Sequence, residues 1–178
     1  MQLNSVLAGG DAMAEQRVYL HTSIWIPGQL TSVLLPAADT GGQVVVLEQI
    51  TPYGAASPYH IHHKEDELIY VLEGELTVYV SGLRRAASPG TAMMLPRGQE
   101  HALVVESAEA RVLTLFSPAG FERLIIEVGQ AIVWPMRPNI MVDAHAVERM
   151  VAAAARYDCD ITRPPPCLSS RSLAGRRP

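Results

Sequence analysis

The sequence is poor in cysteine, in charge and in long apolar runs. Cys159 and Cys167 are its two cysteines among 178 residues. That count excludes a disulfide-stapled scaffold, and both are expected as reduced thiols. Charged residues make up 18% of the chain and the formal net charge is −4. Such a balance gives no reason to expect nucleic acid or an anionic membrane as a partner. No stretch approaches the ~18 apolar residues of a membrane-spanning helix. The opening MQLNSVLAGGDAMAEQ lacks the basic lead of a signal peptide, so a cytoplasmic location is expected. There is no nucleophile–base pairing to read and no phosphate-cradling glycine loop.

What is present is material for a core. Hydrophobic residues reach 48%, and a chain of this length buries roughly 70% of its unfolded surface. The expected layout is an arm at 1–17, a barrel with its following helix at 18–130, an extended segment and helix at 131–162, and a flexible tail at 163–178. Trp25, Pro27 and Gly28 suggest an irregular crossing. Runs at 30–35 and 43–50 then read as strands joined by PAADTGG. Further runs fall near 59–63, 67–73, 75–81, 84–87, 91–95, 101–106 and 111–116, each closed by a polar or glycine-containing turn. Short, evenly punctuated strands predict an all-β antiparallel barrel, with eight strands as the natural number.

Two helices are expected after the strands. Ser117 and Pro118 offer an N-cap and a first-turn proline. Phe121, Leu124, Ile125 and Val128 form a stripe that Gly129 ends. Asp143 can cap a second helix with Val147, Met150, Val151 and Ala154 on its buried side. Both stripes read as packing surfaces, and beyond Ile161 the prolines and arginines read as a solvated tail.

The chemistry gathers in GAASPYHIHHKEDELIYVLEG at 54–74 and PGTAMMLPRGQEH at 89–101. Alternate strand residues share a face, so His60 and His62 point together. Glu67 lies an odd number of residues from His62, so a turn at HKED must intervene. The three are then expected on two adjacent antiparallel strands. His101 adds a third imidazole, and His63, of the wrong parity, should face solvent. Three imidazoles and a carboxylate suit one divalent transition metal: Fe, Mn, Ni, Co or Zn. Parity places Ile69 and Val71 with Glu67, and Leu103 and Val105 with His101, around an apolar pocket. Tyr53, Tyr59 and Met94 are candidates for its mouth.

Gly54, His60-x-His62, Glu67 and Gly74 resemble the first motif of the cupin superfamily, and Gly90, Pro96-x-Gly98 and His101 resemble the second. An asparagine is usual four residues past the histidine; Val105 stands there instead. The resemblance covers roughly 20–130. It implies a cupin jelly-roll barrel (a double-stranded β-helix), here with a C-terminal helical extension. It also implies metal ligation by His60, His62, Glu67 and His101, and a homodimer. The expected activity is that of a quercetinase-like dioxygenase on a small aromatic or enol, flavonol-like substrate, with Glu67 doubling as catalytic base. A non-redox isomerase, cyclase or decarboxylase and a non-catalytic binding protein are the alternatives.

Overall fold

The computed structural model describes residues 23–26, 28–132 and 144–166. Expectations for the arm, for most of the extended segment and the Asp143 cap, and for the tail from Cys167 onward lie outside those residues. Twelve strands are described, in two antiparallel sheets. The larger runs β11 (Gln130–Ile132), β1 (Ser23–Ile26), β2 (Gln29–Leu35), β3 (Val45–Pro52), β10 (Glu109–Ser117), β5 (Asp66–Glu73) and β8 (Ala92–Leu95) from edge to edge. The smaller runs β12 (Cys159–Arg163), β4 (Tyr59–His62), β9 (His101–Val105), β6 (Leu76–Val80) and β7 (Leu83–Ala87). Two α-helices, α1 (Glu122–Val128) and α2 (Ala144–Ala154), and two single 3-10 turns, at Ala37–Asp39 and Ala155–Tyr157, complete the described elements. Among the described residues no helix is long and apolar enough to cross a membrane.

Period-two burial builds the sheets. Along β10, Ala110, Val112, Thr114 and Phe116 are buried while their neighbours are not. Along β5, Glu67, Ile69 and Val71 are buried. Ser81 and Gly82, both at positive φ, make the tight turn from β6 to β7. Ile69, Val71, Leu76, Val78, Leu95 and Val112 pack into one core cluster. Ile24, Val45, Leu47, Phe116 and Ile125 form a second, and Leu124, Ala153, Ala154 and Cys159 a third. Each fully buried aliphatic side chain contributes about 1.5–3 kcal/mol.

Four expectations need correction. The count of eight strands is too low: all nine runs read from the sequence become strands, β2 to β10, and β1, β11 and β12 arise where no alternation announces them. Their strand state comes from pairing: β1 lies between β2 and β11, and β12 adds to the edge of β4. His60, His62 and Glu67 do not come from adjacent strands, since β4 and β5 belong to different sheets; the HKED connection crosses between the layers. Helix α1 does not begin at Ser117, whose Oγ instead donates to the carbonyl of Gln43 at 3.0 Å. The chain leaves β10 extended so that Phe121 can return onto Phe116, ring centroids 4.9 Å apart. On α2, Val151 is 40% exposed, and Ala153 is buried instead.

Candidate metal centre

His60 and His101 sit directly opposite each other on β4 and β9. His62 follows on the same face of β4, opposite Cys159. Glu67 approaches from the other sheet, where its register partners are Phe116 and Leu95. Facing sheets thus close the four side chains around one point, and one ligand atom from each lies within 4.8 Å of all the others. His101 Nε2 is 3.1 Å from Glu67 Oε2, and His62 Nε2 is 3.4 Å from the same oxygen. Opposite ligands of an ion with bonds of about 2.1 Å stand about 4.2 Å apart, so the four need contract little to hold one.

The loops that carry the ligands are clamped together. The Gly98 amide donates to the His62 carbonyl at 2.8 Å. The Arg97 amide and guanidinium donate to the two oxygens of Asp66 at 2.9 and 2.6 Å. Those hydrogen bonds hold the Asp66 carboxyl down at about 2.

The nitrogens are oriented as well. His60 Nδ1 donates to the Pro58 carbonyl at 2.9 Å, and His101 Nδ1 to the Gln99 carbonyl at 3.0 Å. Each bond leaves the far nitrogen, Nε2, facing the cluster. Burial first, then the neighbouring His101 and His62, push the His60 imidazole down to about 3. Burial alone would raise the Glu67 carboxyl, but the hydrogen bond from His101 and the adjoining His62 hold it well below its ordinary range. Burial would lower His101, yet Glu67 outweighs it and leaves the imidazole raised. Both ring nitrogens of His62 are buried without a hydrogen-bond partner. A buried polar atom without a partner is costly, and a cation on Nε2 would satisfy it. The donor set, its spacing and this orphaned imidazole therefore fit a divalent metal.

Beside the four ligands lies a cavity of about 130 Å³. Its polar lining comes from Gln29, Gln49 and Ser57; its apolar lining includes Leu103, Phe116, Phe121, Leu124, Ile125 and Met150. Phe116 and Phe121 meet the His62 ring edge-on at 5.2 and 4.2 Å. An adjoining cleft of about 150 Å³ shares Gln29, Gln49, Leu103 and Met150 and adds Val105.

Leu103 lines both spaces, and Val105 lines the cleft. Ile69 and Val71 face inward but are consumed by the core. Tyr59 points the other way, edge-on to Tyr79 at 5.8 Å with the Arg163 guanidinium 3.8 Å above its ring. Met94 is 54% exposed on the outer side of β8, and Tyr53, half-buried at 53, lines neither space. The expected mouth contacts at Tyr53, Tyr59 and Met94 are therefore corrected: two sit on outward-facing strand positions and the third lies past the end of its strand. His63 faces solvent, its Nε2 2.8 Å from Asp160 Oδ2.

The sequence reading passed over three contributions. The helical stripes are a wall of the cavity as well as packing surfaces. Gln29 and Gln49 share the inward parity of Thr31 and Leu47, a signal that was legible. Glu65, within the HKED turn, is 4% exposed.

Comparison with known proteins adds to this geometry. The family model for the cupin domain matches residues 46–116. The chain is similar to quercetin 2,3-dioxygenase of Bacillus subtilis strain 168, with 24% identity over 116 residues, 64% of this chain and 34% of that protein. It therefore spans about a third of that curated relative's length. Among solved structures, KdgF from Halomonas sp. is similar at TM-score 0.50 and 26% identity, covering 55% of this chain and 84% of that one. An RmlC-like cupin from Shewanella frigidimarina reaches TM-score 0.50 at 21% identity, covering 69% and 99%; it speaks for the fold alone.

Proposed function

This chain belongs to the cupin superfamily, and on that premise we propose that it is a metal-dependent dioxygenase acting on a small aromatic or enol substrate. The observation that carries the reading is the convergence of His60, His62, Glu67 and His101 beside a largely apolar cavity. A divalent ion held there would supply Lewis acidity and a template for orienting the substrate. The chain's own residues supply the rest. Glu67, a carboxylate in this environment, can take the proton of an enol or hydroxyl on the carboxylate oxygen that an ion would leave free. Phe116 and Phe121 keep water from the His62 side, and the side chains of Gln29 and Gln49 offer hydrogen bonds across the cavity.

Size bears on the substrate. An engineered cavity of about 150 Å³ holds one benzene ring, so 130 Å³ suits a monocyclic molecule or small enol. A flavonol would need the adjoining cleft as well. The same ligands and cavity would serve a second reading, a non-redox isomerisation, cyclisation or decarboxylation at the same centre. Oxygen uptake by protein loaded separately with Fe, Mn, Ni, Co or Zn, over monocyclic enols and flavonols, tests the first. Turnover without oxygen would transfer the assignment to the second.

A homodimer is part of the same reading. Leu35, Val46, Leu115, Leu68 and Met94 fall in register across β2, β3, β10, β5 and β8, on the outer side of the larger sheet. A second copy of the chain would cover this apolar row. Sedimentation of Leu68→Glu against the unaltered protein tests it.

A further inference from the structure

Of the charged side chains in the HKED connection, Glu65 goes deepest. It is 4% exposed, and its Oε2 has no hydrogen-bond partner. That oxygen stands 4.0 Å from Nδ1 of His62, a residue 1% exposed whose two ring nitrogens are also without partners. The other carboxylate oxygen lies against Gly120, where a Cβ would come within 3.3 Å of it. A carboxylate in such a place is costly unless a donor meets it.

The other two imidazoles show what is missing. His60 and His101 each spend Nδ1 on a backbone carbonyl, at 2.9 and 3.0 Å. His62 has no carbonyl in that position; it has Glu65. We propose that Glu65 is a positioning residue that accepts the Nδ1 proton of His62, fixes the orientation of its ring, and leaves Nε2 bare toward the cluster. Closing from 4.0 Å to the 2.7–2.9 Å of a charge-assisted bond takes about 1 Å of side-chain movement. An imidazole backed by a carboxylate is a stronger donor than one backed by a carbonyl. His62 is then the ligand that fastens the ion, and the connection between the sheets is part of the centre. This inference rests on the metal reading above.

The test uses the full chain, Zn²⁺ as probe, and the variants Glu65→Ala and Glu65→Gln. Chelator competition should show Zn²⁺ binding weakened about 10–100-fold in Glu65→Ala, with part of the loss recovered in Glu65→Gln, which still offers an acceptor oxygen. In the Zn²⁺-loaded protein labelled with ¹⁵N-histidine, the Nδ1–H resonance of His62 should move in Glu65→Ala while those of His60 and His101 stay. The melting temperature of the metal-free protein should not fall in either variant, which separates positioning from support of the fold. Unchanged affinity together with an unmoved His62 resonance would overturn the role of Glu65 alone. Failure of the unaltered protein to take up Zn²⁺, or any other divalent ion, would overturn the metal centre itself.

Discussion

His60 and His101 face each other across β4 and β9 with ring centroids 4.2 Å apart, and each donates Nδ1 to the carbonyl two residues before it. The two motifs thus present their histidines in the same way, from opposite strands of one ladder. Glu67 then completes the group from the facing sheet.

If these side chains hold one ion, losing any of them should release it. His101→Ala and His62→Ala are expected to weaken metal retention by at least about a hundredfold, since each removes a direct bond. Metal analysis after dialysis, with circular dichroism as the control for folding, checks this. Retention of stoichiometric metal by either variant would remove that residue from the ligand set.

Metal uptake should release protons. In the metal-free protein Glu67 raises His101, so a proton held between Oε2 and Nε2 must leave before a cation can bind. Affinity should therefore go on rising with pH beyond the ordinary histidine range, because the raised His101 holds its proton longer than a free imidazole. Titration calorimetry in buffers of different ionisation enthalpy reads the protons directly; equal heats in all buffers would contradict the expectation.

Cys159 gives a second dependence on pH. Burial first, then the carboxylates of Glu67, Glu65 and Asp160, push its thiol up to about 12 from a usual 9.0. A folded-state value above the unfolded one contributes stability that is present below about pH 9 and is lost as pH rises toward about 12. At pH 8 the native thiol should resist iodoacetamide. Peptide mapping distinguishes it from Cys167, and modification of Cys159 without denaturant would refute this.

Two motif glycines should behave differently. A Cβ at Gly74, where φ is +83°, would stand 2.3 Å from the Glu109 carbonyl and 2.7 Å from Ala110 Cα. Left-handed strain plus backbone collision predicts a loss of about 3 kcal/mol or more for Gly74→Ala. Gly98, at φ +73°, meets nothing within 4 Å, so Gly98→Ala should cost only about 1 kcal/mol. Urea unfolding of both variants gives the comparison, and equal losses would show that the crowding at Gly74 is not felt.

Local pattern by itself determined the strands from Leu30 to Phe116, the helix end at Gly129, and the likeness of the four candidate ligands to a cupin centre. Those features follow from side-chain alternation and turn chemistry, both of which act within a few residues. Tertiary structure alone decided that His62 and Glu67 lie on different sheets, that Cys159–Arg163 becomes a strand, and that Glu65 goes under cover while His63 and Lys64 do not. Each of those outcomes depends on what lies across a sheet or between two layers. The sequence between neighbouring residues carries no record of such a partner, because the contact forms only when distant segments have folded against each other.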